Sequence, residues 1–260
     1  MSQVLPLFKS SSSLLRSTLT LDNPKDNTDA DLPDSVFKIA IDNGLKEIIL
    51  LEDSMSSFLQ FNLTANELGI KPIFGYRVTF VADSKDKSEA SWISAHKNVI
   101  FPRNKTGYKQ LIKIATLAGY DNHYKEARLS YDDLHGLWTE DLALVIPFYD
   151  SFLHKNLLTN SLCVPDYRGI KPTVFIECND LPFDYLIEEA ALAYAKANYL
   201  PVSKTKSIYY KNREDFDAYL TLKCLNRKQF GSGRTLDNPD MEHMSSREFC
   251  WESYLEAINK

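Results

Sequence analysis

Apolar residues in this chain gather in short runs that follow two rhythms. Val4 to Phe8, Glu47 to Leu51, Ile73 to Val81, Asn98 to Phe101, Leu142 to Ile146, Thr173 to Cys178 and Tyr199 to Ser203 are largely apolar without strict alternation, which predicts strands covered on both faces. Between them the apolar positions recur every three or four residues, which predicts amphipathic helices. The first runs from Asp34 or Ser35 as N-cap to Asn43, with Gly44 just beyond its end. Further helices are expected from Ser56 to Leu68, stopped by Gly69, from Gly107 to Leu117, from Leu181 to Asn198 with Pro182 in its first turn, and from Asp215 to Leu225. Strands alternating with helices imply βα units and a largely parallel sheet. Roughly seven such units fit one α/β domain, and periodicity alone leaves a barrel and an open doubly wound sheet unseparated. Asn23 to Pro33 and Asp83 to Ala90 are polar and charged, and are expected as an exposed loop and a hairpin tip. Residues 1–225 are expected to hold the domain, and 226–260, with Gly231-Ser232-Gly233 and Asn238-Pro239, a loop-rich tail.

Composition narrows the chemistry. The chain has 260 residues, 44% hydrophobic and 25% charged, as expected of a globular protein with a substantial core. No apolar run reaches the ~18 residues of a membrane span, and Met1 to Pro6 lacks the basic and apolar regions of a secretory leader. Cys163, Cys178, Cys224 and Cys250 form no CxxC pair, so reduced thiols and a cytoplasmic location are expected. A net charge of −5 argues against the whole chain being a nucleic-acid binder, and leaves room for a local basic surface. No GxGxxG, P-loop or nucleophile motif is present; Ser10 to Ser13 lack the glycines and lysine of a phosphate loop and are expected as a solvated turn. Asp132-Asp133 and Glu188-Glu189 fit a helix start and a helical face. Tyr209, Tyr210, Phe216 and Tyr219 fit core packing better than a stacking surface.

One stretch carries more. Gly69-Ile70-Lys71-Pro72-Ile73-Phe74-Gly75-Tyr76-Arg77-Val78 resembles the signature of the PHP (polymerase and histidinol phosphatase) domain, in the version that opens the alpha subunit of bacterial C-family DNA polymerases. The metal-binding glutamate of that signature falls on Arg77. Ser13-Leu14-Leu15 resembles the residues after the first His-x-His motif, which places Leu7 and Lys9 at its two histidines. Leu51-Glu52-Asp53-Ser54-Met55-Ser56 resembles the second motif, with Asp53 kept and Ser54 in place of histidine. Asn104 to Leu111 resembles the family's Asn-x-x-Gly-Tyr-x-x-Leu. If Glu177 is the family's strand glutamate, a later ligand histidine falls on Leu181, and the closing Asn-Asp-x-His-Tyr becomes Thr205-Lys206-Ser207-Ile208-Tyr209. Thr235 to Pro239 and the run from Glu214 to Leu225 resemble the polymerase version in particular.

The resemblance implies a distorted (β/α)7-type PHP barrel in a single domain, with the tail belonging to it or leading toward a polymerase core. It implies a degenerate metal site at Leu7, Lys9, Asp53, Ser54, Arg77, Leu181, Lys206 and Ile208, with no bound metal, no cofactor and no catalytic residue. An active site of this kind needs several histidines and carboxylates around two or three divalent ions. The five histidines, His96, His123, His135, His154 and His243, all fall elsewhere. The expected role is a structural or partner-docking module in DNA replication, packing against polymerase core domains or a proofreading exonuclease subunit, with DNA as a further partner and no membrane. Two alternatives stay open: an active metal-dependent 3′–5′ exonuclease or phosphoesterase, and a freestanding phage or mobile-element accessory.

Lys9, Arg77 and Lys206 admit two readings. They form an anion-binding pocket, or they replace the charge of lost metals and pair with Asp53 and Glu52. A carboxylate stranded in a metal-free cavity is costly, so Asp53 is expected within hydrogen-bond reach of at least one of the three.

Overall fold

The structure, a computed structural model, describes residues 4–12, 17–26, 33–159, 162–226 and 246–259. Ser13-Leu14-Leu15, the glycine-rich stretch 231–233 and the motif at 235–239 lie outside them.

In chain order the elements are β1 (Leu5–Phe8), α1 (Val36–Asp42), β2 (Glu47–Glu52), α2 (Phe58–Leu68), β3 (Lys71–Val81), α3 (Glu89–Ile93), β4 (His96–Pro102), α4 (Lys105–Thr116), β5 (Arg128–Ser130), α5 (Tyr131–Leu137), β6 (Leu142–Ile146), α6 (Phe152–Leu158), β7 (Thr173–Ile176), α7 (Asp184–Ala197), β8 (Val202–Ile208), α8 (Phe216–Asn226) and α9 (Trp251–Ile258). The strand order is β2-β1-β8-β7-β6-β4-β3-β5, and a further β2–β3 pairing closes seven strands on one another, with β5 added outside on β3. This is the α/β, (β/α)7-type barrel the sequence leads one to expect. Pairing is parallel for β1–β2, β1–β8, β6–β7, β7–β8 and β3–β5. β4 alone among these runs antiparallel, to both β3 and β6. The short charged segment 83–88 with α3 returns the chain directly beside β3, so no crossover helix is needed.

The chain forms two compact units, each built from separated stretches: Met1–Phe74, Cys178–Pro182 and Thr205–Lys260 in the first, Gly75–Glu177 and Phe183–Lys204 in the second. In the first unit the core is aromatic. Phe8 stacks on Trp251 at 5.6 Å, Phe37 and Phe61 lie 5.6 Å apart, and Phe74 sits 5.1 Å from Phe58. Tyr209, Tyr210 and Tyr219 pack together, with Tyr210 and Tyr219 fully buried, so this cluster is core. In the second unit Ile146, Phe152, Cys163, Val174, Ala191 and Ala195 form one core cluster, and Phe148, Ile176 and Ile187 another.

Local chemistry explains most element ends. Ser35 caps α1 by accepting from the Phe37 amide, and Gly44 and Gly69 take φ of 67° and 68° after α1 and α2, where a side chain would be strained. Asp133 closes a capping box with Ser130 at the start of α5.

Three expectations need correction. β8 continues to Ile208, so Lys206 and Ile208 lie within a strand; its polar spelling hides Thr205, Lys206 and Ser207, all of which are buried. The tail contains α9, whose Trp251 and Tyr254 are buried and whose Glu256, with Glu248 and Glu252 before it, meets the guanidinium of Arg213. Ser10 is not a solvated turn residue: it is fully buried, and its amide and hydroxyl both donate to Glu52 Oε1, at 2.9 and 2.6 Å.

Candidate functional site

In the first unit, the β1–β8 register sets Leu7 opposite Ser207 and Phe8 opposite Ile208. The Lys9 amide continues this ladder, donating to the Ile208 carbonyl at 3.2 Å. Lys9 therefore leaves the strand end with its side chain held in a fixed place. Its Nζ donates to Asp53 Oδ2 at 3.2 Å, with side chains only 5% and 10% exposed, and lies 5.9 Å from the Tyr209 ring centroid. Asp53 follows the end of β2, and Glu52, the last residue of that strand, takes both donors of Ser10. Lys206 Nζ donates to the Cys178 carbonyl at 2.8 Å. Leu7, Leu181 and Ile208 are buried apolar residues, and Ser54 is exposed, sharing a hydrogen bond with Ser56. Of the expected site residues, the hydrogen bond brings Lys9 and Asp53 together, as anticipated for Asp53.

In the second unit, Arg77 is buried in β3 and its guanidinium donates to Asp150 Oδ2. Asp150 takes φ of 60°, a left-handed conformation that Asp tolerates better than most residues. Its amide donates to His154 Nδ1 at 3.1 Å, so the imidazole proton of the neutral ring is on Nε2. Burial, more than any neighbouring charge, lowers the His154 pKa, with Asp150 opposing it. Nearby Tyr149 donates to the buried carboxylate of Asp184 at 2.9 Å.

Sequence reasoning missed Ser10, Asp150, His154 and Asp184. The signal for Asp150 was present: it follows β6 shortly after the strand end, as Asp53 follows β2. It lies outside every matched motif, so motif comparison passed over it.

The donors at the eight expected positions do not fit a cluster of divalent ions. Leu7, Leu181 and Ile208 offer no ligand atom, Lys9, Arg77 and Lys206 are cations, Ser54 is an exposed hydroxyl hydrogen-bonded to Ser56, and the carboxylate of Asp53 is engaged by an ammonium. Among the described residues no group of three or more His, Cys, Asp or Glu side chains is placed to hold a metal ion. What the arrangement does chemically is neutralise charge: Lys9, Arg77 and Lys206 each meet an anion or a carbonyl oxygen.

In sequence the chain is similar to several known proteins. The alpha subunit of DNA polymerase III from Rickettsia felis is 24% identical over 253 residues, 94% of this chain and 19% of its own length. The same subunit from Borreliella burgdorferi is 22% identical over 208 residues, covering 76% of this chain and 18% of that protein, and that from Aquifex aeolicus is 22% identical over 240 residues, covering 85% and 21%. The chain thus spans about a fifth of the length of these relatives. A solved structure of a candidate metal-dependent phosphoesterase from Bifidobacterium adolescentis aligns with a TM-score of 0.45 and 10% identity, over 79% of this chain and 88% of that one. The PHP domain pattern itself matches residues 29–164, just over half of the sequence, and the chain belongs to the PHP domain family.

Proposed function

We propose that this chain is a PHP domain without the hydrolytic metal chemistry of its family, acting as a structural or docking module for a polymerase of the DNA polymerase III alpha type. The observation that carries this reading is the Lys9–Asp53 pair, a buried ammonium seated 3.2 Å from the one carboxylate that matches the family's ligand pattern. A divalent ion would have to displace that ammonium, against a pairing strengthened by burial. The relatives, all alpha subunits of DNA polymerase III, supply the polymerase side of the proposal. Its partner is then a polymerase core or a proofreading exonuclease subunit, met in the cytoplasm.

The test has two arms. The purified chain is incubated with excess Mn²⁺ and a generic phosphodiester, and no turnover above the metal-only background is expected. Manganese-dependent hydrolysis that disappears in Asp53→Asn would overturn the non-catalytic reading. In the second arm, the chain is mixed with an alpha-subunit polymerase core or exonuclease and run on a sizing column. Comigration supports docking, and separate elution from both overturns it.

A further inference from the structure

Between Arg103 and Tyr120 the sequence carries Arg103, Lys105, Lys109 and Lys113 and no carboxylate, within a chain whose net charge is −5. α4 holds the three lysines at successive four-residue steps, so they advance roughly 6 Å at a time along one side of the helix. Leu111 and Ile114 of the same helix are buried, and the lysines are exposed. Among the described residues none of the three lysines takes part in an ion pair.

Helix physics does not ask for this arrangement. Lys105 is the first residue of α4, where the positive end of the helix dipole disfavours a cation, and the first turn holds no acid. Each lysine also stands four residues from a like charge, which weakens a helix. The carboxylates nearby are occupied or placed at the ends of the stripe. Asp141 accepts from the Asn104 side chain at 2.6 Å, Asp133 from Ser130 and Asn122, and Asp121 comes only at the end of the turn that follows α4. At the C-terminal end the helix passes into a π-helical turn, Leu117–Asp121, a local irregularity often found at functional sites. That turn presents Tyr120, 84% exposed.

We propose that α4 and Tyr120 form a binding surface for single-stranded nucleic acid. Lys105, Lys109 and Lys113 would take successive phosphates, and the Tyr120 ring would stack on a base. Spaced cations beside a bare aromatic ring are what sequence-tolerant strand binding uses. Charge complementarity selects a polyanion, and the ring selects one with unpaired bases. The surface lies wholly in the second unit and shares no residue with the Lys9–Asp53 pair that carries the proposed function.

The experiment is fluorescence anisotropy with a labelled oligothymidylate, titrated at several salt concentrations. Binding should weaken steeply with salt. The triple variant Lys105→Gln, Lys109→Gln, Lys113→Gln should lose at least about tenfold in affinity, with a log–log salt slope shallower by about 2, three phosphates at ~0.7 each. Tyr120→Ala should lower affinity a few-fold at unchanged slope. Lys71→Gln, which removes an exposed cation paired with Glu47 in the first unit, should leave binding unchanged. Because all the altered residues are exposed, thermal melts should show each variant folded. Absence of oligonucleotide binding by the unaltered chain, or a triple variant that binds equally well, would overturn the assignment. Equal affinity for a duplex of the same length would overturn the role given to Tyr120 and the single strand.

Discussion

Two groups of cations in this molecule obey different rules. Lys9, just past the end of β1, Arg77 within β3 and Lys206 within β8 are buried, and each has an acceptor: Asp53, Asp150 and the Cys178 carbonyl. Lys105, Lys109 and Lys113 are exposed along one helix and take part in no ion pair. Burial forces pairing, because an unpaired charge away from water is expensive, whereas exposure leaves a charge available to something outside. The net charge of −5 conceals both groups. The location of each charge, more than the total, says what the charge is for.

The sharpest way to break this contrast is to remove one partner of the best-buried pair. Lys9→Ala should destabilise the fold by on the order of 3 kcal/mol in chemical denaturation, since it strands Asp53, whose side chain is only 10% exposed. Replacing both, Lys9→Met with Asp53→Leu, should cost clearly less than the single change; an equal or larger loss would show that the pair is not the source of the effect. In the second unit, Asp150→Asn keeps a residue that tolerates the positive φ and removes the charge facing Arg77. The Asp150 side chain is 26% exposed, so about 2 kcal/mol is expected. Oligonucleotide affinity should change in neither variant.

Acid gives the next effect. His96 is buried, with Nε2 and the Tyr131 hydroxyl 2.8 Å apart, and burial lowers its pKa to about 4. A free histidine titrates near 6.5, so the unfolded chain binds the extra proton first as pH falls. Stability should therefore be flat above about pH 6.5 and decline below it, by about 1 kcal/mol between pH 7.5 and 5.5. His96→Gln should remove that share of the slope in denaturant titrations run at both pH values. The smallest effect has the opposite sign. Lys105→Glu puts an acid in the first turn of α4 and should raise stability by about 0.5 kcal/mol while weakening any bound strand.

Much of the fold was legible because its signals are local. Ser35, Gly44 and Gly69 mark their helix ends in the sequence, and the apolar run at 48–51 suits a covered strand. β8 was cut short because its code is not local. Thr205, Lys206 and Ser207 are polar by type, and they are buried by what surrounds them rather than by their own apolarity. α9 was missed for a related reason: it is fixed by Arg213, which gathers Glu248, Glu252 and Glu256 across more than thirty intervening residues. At the site, motif matching found Lys9 and Asp53 and offered Arg77 only Asp53 and Glu52 as partners, whereas it pairs with Asp150. Asp150 is distant in sequence and belongs to no motif, so only the folded chain brings the two together.

β3 and β8 each start in one compact unit and finish in the other. Neither unit is therefore a contiguous length of polypeptide. A chain ended anywhere before Thr205 would lack the half of β8 that pairs with β1, and one beginning after Phe74 would lack β1 itself. The first unit is complete only with its last segment, because β1 has one neighbour in β2 and the other about two hundred residues away in β8. For anyone dividing this protein, the practical consequence is that no single cut yields two folding halves.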